Sequence, residues 1–258
     1  MELETQIREK LNTVTTRIAA AASAAGRALT EVRLVAVSKT FGLAHVEAAV
    51  AAGLHDLGEN KVQEALRKQA ATSTLQVNWH LIGHLQSNKA RKAVAAFDWI
   101  HSVDSVDLLR RLDRAAAACG RSPNLLIQVD LAGEATKQGA PEPEVRRIID
   151  AADTCRSVEI RGLMVLPPWS QDPEAARAYF RRLRQLRDEL CAAGPVRSRL
   201  DQLSMGMSHD FEVAIEEGAT MVRVGTALFG ARPRAALATS EPERRSEPRS
   251  QESAGRSQ

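Results

Sequence analysis

The residues Leu34-Val35-Ala36-Val37-Ser38-Lys39-Thr40-Phe41-Gly42 join a short apolar run to a single lysine. The apolar run predicts a buried strand, and a helix-forming stretch from Leu43 to Ala52 follows it. The pattern therefore places the Lys39 amine at the C-terminal end of a strand. A desolvated amine has a lowered pKa and can form a Schiff base with a carbonyl ligand. A lysine that extends into solvent at the strand's exit is the alternative.

The rest of the chain alternates between strand-like runs and helical stretches. Strand-like runs lie at Arg33–Ser38, Leu54–Leu57, Val77–Ile82, Trp99–Val103, Asn124–Leu131, Val158–Leu166, Arg199–Leu203 and Thr220–Val224. Helical stretches lie at Asn60–Ala70, Ser87–Ala96, Val106–Cys119, Glu142–Thr154, Glu174–Ala192 and His209–Glu217, after a first helix at Thr5–Ala25. Eight strands joined by helices predict an α/β fold, a (β/α)8 TIM barrel with an extra N-terminal helix. An open doubly wound sheet is the alternative, although no G-x-G-x-x-G follows the first strand.

The composition changes abruptly after Gly230. Residues 233–258 consist mainly of Ser, Glu, Arg, Pro and Ala, with almost no large apolar side chains. Such a segment cannot bury enough surface to offset its chain entropy. We therefore expect a barrel domain over residues 1–232 and a disordered polar tail over residues 233–258.

The overall composition excludes several classes of protein. Of the 258 residues, 44% are hydrophobic and 26% charged, which suits one large α/β domain. A net charge of +3 and an aromatic content of 3% predict neither a nucleic-acid nor a membrane partner. The scattered Cys119, Cys155 and Cys191 form no CxxC pair, so a reducing cytoplasm is expected. No signal peptide or membrane-spanning run is evident in the sequence.

Polar residues follow nearly every predicted strand, at the end of a barrel where active sites lie. Small residues after the last two strands, Ser204 with Gly206 and Gly225 with Thr226, would let backbone N–H groups approach an anion. Together they predict a phosphate site, although either glycine alone is typical of a turn. Arg223 lies in the eighth strand and is either a fixed donor in the barrel mouth or a structural ion-pair partner.

Two other chemistries are rejected. His80 and His84 are four residues apart, but Gly83 and the strand-like Trp79–Ile82 argue against a zinc-binding helix. A Ser–His–Asp site could recruit Ser102 and Asp104, yet no nucleophile-elbow motif is present.

With these residues assembled, the chain resembles the YggS/PROSC family of pyridoxal 5′-phosphate (PLP) homeostasis proteins. The matching segments, in family order, are residues 35–40 (VAVSKT), 58–64 (GENKVQE), 79–89 (WHLIGHLQSNK), 203–210 (LSMGMSHD) and 214–230 (AIEEGATMVRVGTALFG). Each segment alone is weak, but the set is specific and covers the chain except for its tail.

The resemblance implies a fold-type III PLP-binding barrel like the N-terminal barrel of alanine racemase, with PLP held as a Schiff base on Lys39. Arg223 would face the pyridine nitrogen, the small residues of the last two strands would surround the phosphate, and Lys137 would take the place of a second family lysine. Asp130 stands where the family often has Asn, which puts a local hydrogen bond in doubt. The expected cofactor-binding residues are Lys39, Asn60, His80, Ser204, Met205, Gly206, Arg223, Gly225 and Thr226, with no catalytic residue and no metal ligand.

The resemblance favours a protein of intracellular PLP homeostasis over an enzyme. A pyridine nitrogen that faces an arginine stays unprotonated, which makes carbanion chemistry harder. Racemases of this fold work with an arginine there, but they also use a C-terminal β-domain, and here a polar tail follows the eighth strand. A PLP-dependent amino-acid racemase and a phosphate-binding barrel without pyridoxal are the alternatives. The expected partners are PLP and PLP-dependent apoenzymes, and the expected state is a cytoplasmic monomer.

Overall fold

Eight parallel strands close into one barrel, with a helix following each strand, in a computed structural model that describes residues 2–133, 138–192 and 200–231. The strands are β1 (Arg33–Val37), β2 (Asp56–Glu59), β3 (Asn78–Leu81), β4 (Trp99–Val103), β5 (Asn124–Val129), β6 (Glu159–Val165), β7 (Gln202–Met207) and β8 (Met221–Val224). The helices are α1 (Glu2–Ala24), α2 (Leu43–Ala51), α3 (Val62–Ala71), α4 (Ala90–Ala96), α5 (Val106–Cys119), α6 (Glu142–Ala152), α7 (Arg177–Ala192), α8 (Phe211–Glu216) and α9 (Thr226–Phe229). The predicted TIM barrel is confirmed.

Closure depends on the pairing of the first strand with the last. Val35 of β1 lies beside Arg223 of β8, and Val37 lies beside Gly58 of β2. Because β1 has a parallel neighbour on each side, the sheet has no edge here. The doubly wound alternative is wrong.

Strand alternation divides the apolar residues between two cores. The larger core lies between the barrel and its helices and contains outward-facing residues such as Ile100, Leu125 and Val222. A smaller cluster faces the barrel interior and consists of Trp99, Leu126, Met164 and Met221. Successive residues of a strand point to opposite faces, which explains why neighbours in sequence belong to different cores. The barrel interior is therefore packed rather than open.

The extra N-terminal helix is confirmed and packs on the outside of the barrel. It contacts α2, α8 and α9 through one apolar face that includes Ile7, Val14 and Ile18. Their spacing of seven and four residues keeps them on one side of a helix with 3.6 residues per turn. No helix in the described ranges is both long and apolar enough to span a membrane.

The seventh strand differs from its predicted position. The sequence predicted Arg199–Leu203 followed by a loop, but β7 covers Gln202–Met207. The serine and glycine in this segment suggest a turn, whereas here they alternate with apolar residues along a strand. Lys137 and the predicted tail, residues 233–258, lie outside the described residues.

Candidate functional site

A cavity of about 320 Å³ opens at the C-terminal ends of the strands. Its lining includes Lys39, Asn60, Arg223, Gly225 and Thr226, all of which the sequence singled out. They come from the ends of β1, β2 and β8, so the barrel brings together residues that are far apart in the chain. This is the end of a TIM barrel where ligands bind.

A second cavity of about 300 Å³ adjoins the first and shares Asn60, Ile82 and Leu166 with it. Asp130 lies in its lining. The Asp130 carboxylate accepts backbone N–H groups from Ala132 at 3.1 Å and Gly133 at 3.0 Å. The aspartate therefore shapes the turn after β5 with its own side chain.

A buried ion pair lies under the chain segment that carries Lys39. The Lys68 Nζ of α3 lies 2.6 Å from the Glu59 Oε1 of β2 and donates to the Ser38 carbonyl at 2.8 Å. The Ser38 hydroxyl donates to the same Glu59 oxygen at 2.6 Å. On the other side of Lys39, the Thr40 N–H donates to the Glu64 carboxylate at 2.7 Å. Both neighbours of Lys39 are thus held by charged groups.

Thr40 has an unusual backbone conformation. Its φ is 70°, and in the described part of the chain no other non-glycine residue has a positive φ. A β-branched residue in this region is strained, and such strain is found mostly at functional sites. The hydrogen bond to Glu64 holds the strained residue in place, and so fixes the direction in which the chain leaves Lys39.

The pKa values of Glu59 and Glu64 are shifted in opposite directions. Burial raises the pKa of Glu59 despite the hydrogen bonds from Lys68 and Ser38. Burial also acts to raise the pKa of Glu64, but the Thr40 N–H and Lys68 outweigh it and lower that pKa. The second Glu59 oxygen, Oε2, is buried without a hydrogen-bond partner. The Lys68 ammonium is therefore the main group that compensates Glu59.

Arg223 is only 3% exposed, yet it lies at the cavity wall. Its guanidinium donates to the Ser204 hydroxyl at 2.6 Å and to the Val165 carbonyl at 2.9 Å. Burial lowers its pKa to about 10, so the group stays charged at neutral pH. These two hydrogen bonds fix the plane of the guanidinium. The structure thus favours a fixed donor over a structural ion-pair partner.

The Ser208 hydroxyl accepts hydrogen bonds from two backbone N–H groups beside the cavity. Gly225 N–H donates to the Ser208 Oγ at 3.2 Å, and Ala227 N–H donates to it at 3.3 Å. The two donors therefore converge on one point, as they would for a phosphate oxygen. The sequence did not single out Ser208, whose only signal was the matching segment of residues 203–210.

The remaining predicted site residues do not line either cavity. His80 and Ser204 are fully buried inside the barrel, where His80 bonds to His101 and Ser204 to Arg223. Met205 faces outward into the larger core. Gly206 has a φ of 89°, and a Cβ there would lie 2.6 Å from the Ala214 Cβ, so this glycine lets α8 pack on β7.

The expectations that His80 lines the pocket, that Ser204 and Gly206 border the phosphate and that Met205 binds the cofactor therefore stay predictions. Ser204, Met205 and Gly206 lie within β7 rather than in the loop where the sequence placed them. The sequence also missed His101 of β4 and Lys68 of α3, since their partners lie on other elements and become neighbours only in the fold.

No metal site is found among the described residues. No three His, Cys, Asp or Glu side chains there cluster so as to hold a metal ion. The two histidines considered for zinc have separate partners: His80 bonds to Asp56, and His84 lies 3.6 Å from Asp104.

Comparison with known sequences gives consistent matches. The family described as the alanine racemase N-terminal domain matches residues 10–233. The pyridoxal phosphate homeostasis protein of Pseudomonas aeruginosa is 46% identical over 226 residues, which cover 88% of this chain and 96% of that protein. The protein of the same name from Aquifex aeolicus is 42% identical over 224 residues, which cover 87% and 97%.

Solved structures show the same relationship. PipY of Synechococcus elongatus with PLP bound is 44% identical, has a TM-score of 0.78, and is matched over 87% of this chain and 100% of its own. An alanine racemase of Clostridium difficile is 15% identical with a TM-score of 0.68, and is matched over 58% of its length. At that identity the likeness concerns the fold alone.

Proposed function

This chain belongs to the alanine racemase N-terminal domain family and, within it, to the pyridoxal phosphate homeostasis proteins, and we propose that it holds PLP covalently at Lys39. The observation that carries the proposal is the position of Lys39 in one cavity with Arg223, Gly225 and Thr226. A relative with 44% identity has been solved with PLP bound. The protein would serve the intracellular supply of PLP.

The residues present fit each part of PLP. Lys39 offers a primary amine for the carbonyl group. The Ser208 hydroxyl, whose oxygen accepts from the N–H groups of Gly225 and Ala227, offers its O–H as a donor for the phosphate. Arg223 offers a fixed donor for the ring nitrogen. A cavity of about 320 Å³ lies at the lower end of the range for small-molecule sites.

Bound PLP supplies an electrophilic carbon and a ring that can accept electrons. The chain's own residues limit the second property. Arg223 is charged and can only donate a hydrogen bond, which the ring nitrogen accepts with its lone pair, so an unprotonated nitrogen is favoured and the ring is a weak electron sink. This supports a role in holding PLP rather than in turning over amino acids.

The test combines binding and turnover. Protein loaded with PLP should show a visible absorption band that borohydride removes, and Lys39→Ala should lack it. Lys61→Ala is the matched control, because Lys61 is exposed at the rim of the barrel and should keep the band. Loaded protein should leave a panel of L-amino acids unracemised over many hours. Steady racemisation by wild type but not by Lys39→Ala would instead establish the racemase alternative.

We further propose that the protein works in the cytoplasm as a monomer and passes PLP to PLP-dependent apoenzymes. The scattered cysteines without a disulfide pattern support the compartment. Sedimentation velocity should give one species of the monomer mass. Loaded protein should reactivate an apoenzyme in the presence of a trap for free PLP, and failure under these conditions would contradict direct transfer.

A further inference from the structure

A line of buried polar side chains connects Arg223 to the opposite end of the barrel. The Arg223 guanidinium lies 2.6 Å from the Ser204 Oγ, which lies 3.0 Å from the His101 Nδ1. The His101 Nε2 lies 3.0 Å from the His80 Nδ1, and the His80 Nε2 lies 3.0 Å from the Asp56 Oδ1. We call these five residues the barrel relay.

The barrel relay crosses the barrel from one end to the other. Arg223 borders the cavity at the C-terminal ends of the strands. Ser204 lies level with Met221, two residues earlier along β8. Asp56 is the first residue of β2, at the N-terminal ends of the strands, and its side chain is 21% exposed. The far end of the relay therefore reaches water away from the cavity.

The chemistry of the two ends fixes the direction of every hydrogen bond. The Asp56 carboxylate can only accept, so the His80 Nε2 must carry a proton. A neutral His80 then has a bare Nδ1, which accepts from the His101 Nε2–H. A neutral His101 likewise has a bare Nδ1, which accepts from the Ser204 hydroxyl. That hydroxyl in turn accepts from Arg223, which can only donate.

The environment of the two histidines supports their neutral form. Burial lowers the pKa of His80, although Asp56 and Asp98 act to raise it and Arg33 to lower it. Burial lowers the pKa of His101 well below the usual value, and the positive charges of Arg223 and Arg33 act in the same direction. Trp99 stacks on His80 at 5.8 Å, with the two rings nearly parallel.

We propose that Ser204, His101, His80 and Asp56 are positioning residues that hold the Arg223 guanidinium through one continuous, one-directional series of hydrogen bonds. A change at Asp56 therefore reaches the ring nitrogen of bound PLP across the barrel. This inference rests on the proposed function for its effect on PLP, but the relay itself exists without the cofactor.

The first test needs no PLP. Long-range 1H–15N NMR of the histidine rings should show His80 and His101 as neutral Nε2–H tautomers at pH 7. His55 is an internal control for the opposite tautomer, because its Nδ1 lies 2.9 Å from the Gln76 carbonyl. His80→Gln and His101→Gln variants would assign the signals. An Nδ1–H tautomer or a charged ring at either position would overturn the relay.

The second test uses the PLP-loaded protein and follows the absorption spectrum against pH. Ser204→Ala removes one of the hydrogen bonds that hold the Arg223 guanidinium in place, so its donation to the ring nitrogen should weaken. The nitrogen should then protonate more readily, and the spectral transition should move to higher pH. Asp56→Ala should move it in the same direction by a smaller amount. Asn78→Ala is the control, because Asn78 also donates to Asp56, at 3.3 Å, but is not part of the relay.

A transition that moves in Ser204→Ala but not in Asp56→Ala would overturn the transmission across the barrel. A shift in Asn78→Ala as large as the shift in Asp56→Ala would overturn it as well. Loss of PLP from the wild-type protein would instead count against the proposed function, while the NMR result would stand independently.

Discussion

At the scale of single residues, Lys39 lies between two neighbours that are held by charged groups. Ser38 bonds to Glu59 and Lys68, and the strained Thr40 bonds to Glu64. The sequence predicted the lysine, because an apolar strand that ends in an amine is a local pattern. It could not predict the φ of Thr40, since that conformation depends on a carboxylate 24 residues further along.

Ser208 provides the residue-scale prediction. Ser208→Ala removes a hydroxyl that lies between two N–H groups beside the cavity, and hydrogen bonds to a charged group contribute about 1.5–3 kcal/mol. We expect PLP to bind roughly tenfold more weakly or worse, by the relation of about 1.4 kcal/mol per tenfold. Pyridoxal, which has no phosphate, should bind equally to both proteins. Equal weakening for the two ligands would show that Ser208 does not contact the phosphate.

At the scale of elements, β2 and α3 together support the segment after β1 through the pair Glu59–Lys68. The predicted bounds of β7 were wrong because they, too, depend on contacts between elements that are distant in sequence. Ser204 and Gly206 are typical turn residues, yet their side-chain alternation places Ser204 inside the barrel and Met205 in the outer core. The local sequence pattern indicates that a strand is present here, but where β7 ends is set by its pairing with β6 and β8.

Lys68→Met should destabilise the fold strongly, because it leaves the Glu59 carboxylate buried without its counter-charge. Removing one partner of a buried ion pair costs about 3–5 kcal/mol. Arg67→Met is the matched control, since Arg67 is the exposed neighbour on the same helix, and a cost below about 0.5 kcal/mol is expected there. Urea unfolding measures both.

The double variant Glu59→Gln/Lys68→Met separates charge from packing. It should recover much of the loss, because no uncompensated charge remains. If the double variant is less stable than Lys68→Met alone, the main role of Lys68 is not to compensate Glu59.

At the scale of the whole molecule, the barrel has a packed interior that the barrel relay crosses. The eight-fold alternation of strands and helices, and hence the closed barrel, could be predicted from the sequence because the pattern is repeated along the chain. The barrel relay could not be predicted, since His80, His101 and Ser204 belong to three strands and come together only when the barrel closes. Polar residues in strands were instead assigned to the cavity.

The two buried histidines make folding stability depend on pH. Their pKa values in the folded protein are lowered, while the unfolded chain has the ordinary value of about 6.5. The unfolded state thus binds more protons below that pH. Their contribution is complete above about pH 6.5 and falls by up to about 1.4 kcal/mol per histidine and pH unit below it.

The free energy of unfolding, measured at pH 7.5, 6.5 and 5.5, should therefore fall less steeply for His101→Gln than for the wild type. His55→Gln is the control for the loss of one histidine, because His55 is exposed and lies outside the barrel relay. Equal slopes for wild type and His101→Gln would mean that His101 is not buried in its neutral form.

We also propose that the barrel domain, residues 1–232, is sufficient for folding and PLP binding, and that residues 233–258 are a dispensable polar tail. The family match ends at residue 233, and the tail contains almost no large apolar side chains. Truncation after Arg232 should leave the melting temperature and the PLP absorption band unchanged. A clear drop in either would show that the tail packs on the barrel.

The central claim is that Lys39 holds PLP, and the most direct measurement is peptide mapping after reduction. Protein loaded with PLP is treated with borohydride, digested and examined by tandem mass spectrometry. We predict a phosphopyridoxyl group on the peptide that contains Lys39, at close to one group per chain. A group found mainly on Lys61 or Lys137, or spread over several surface lysines, would contradict the claim.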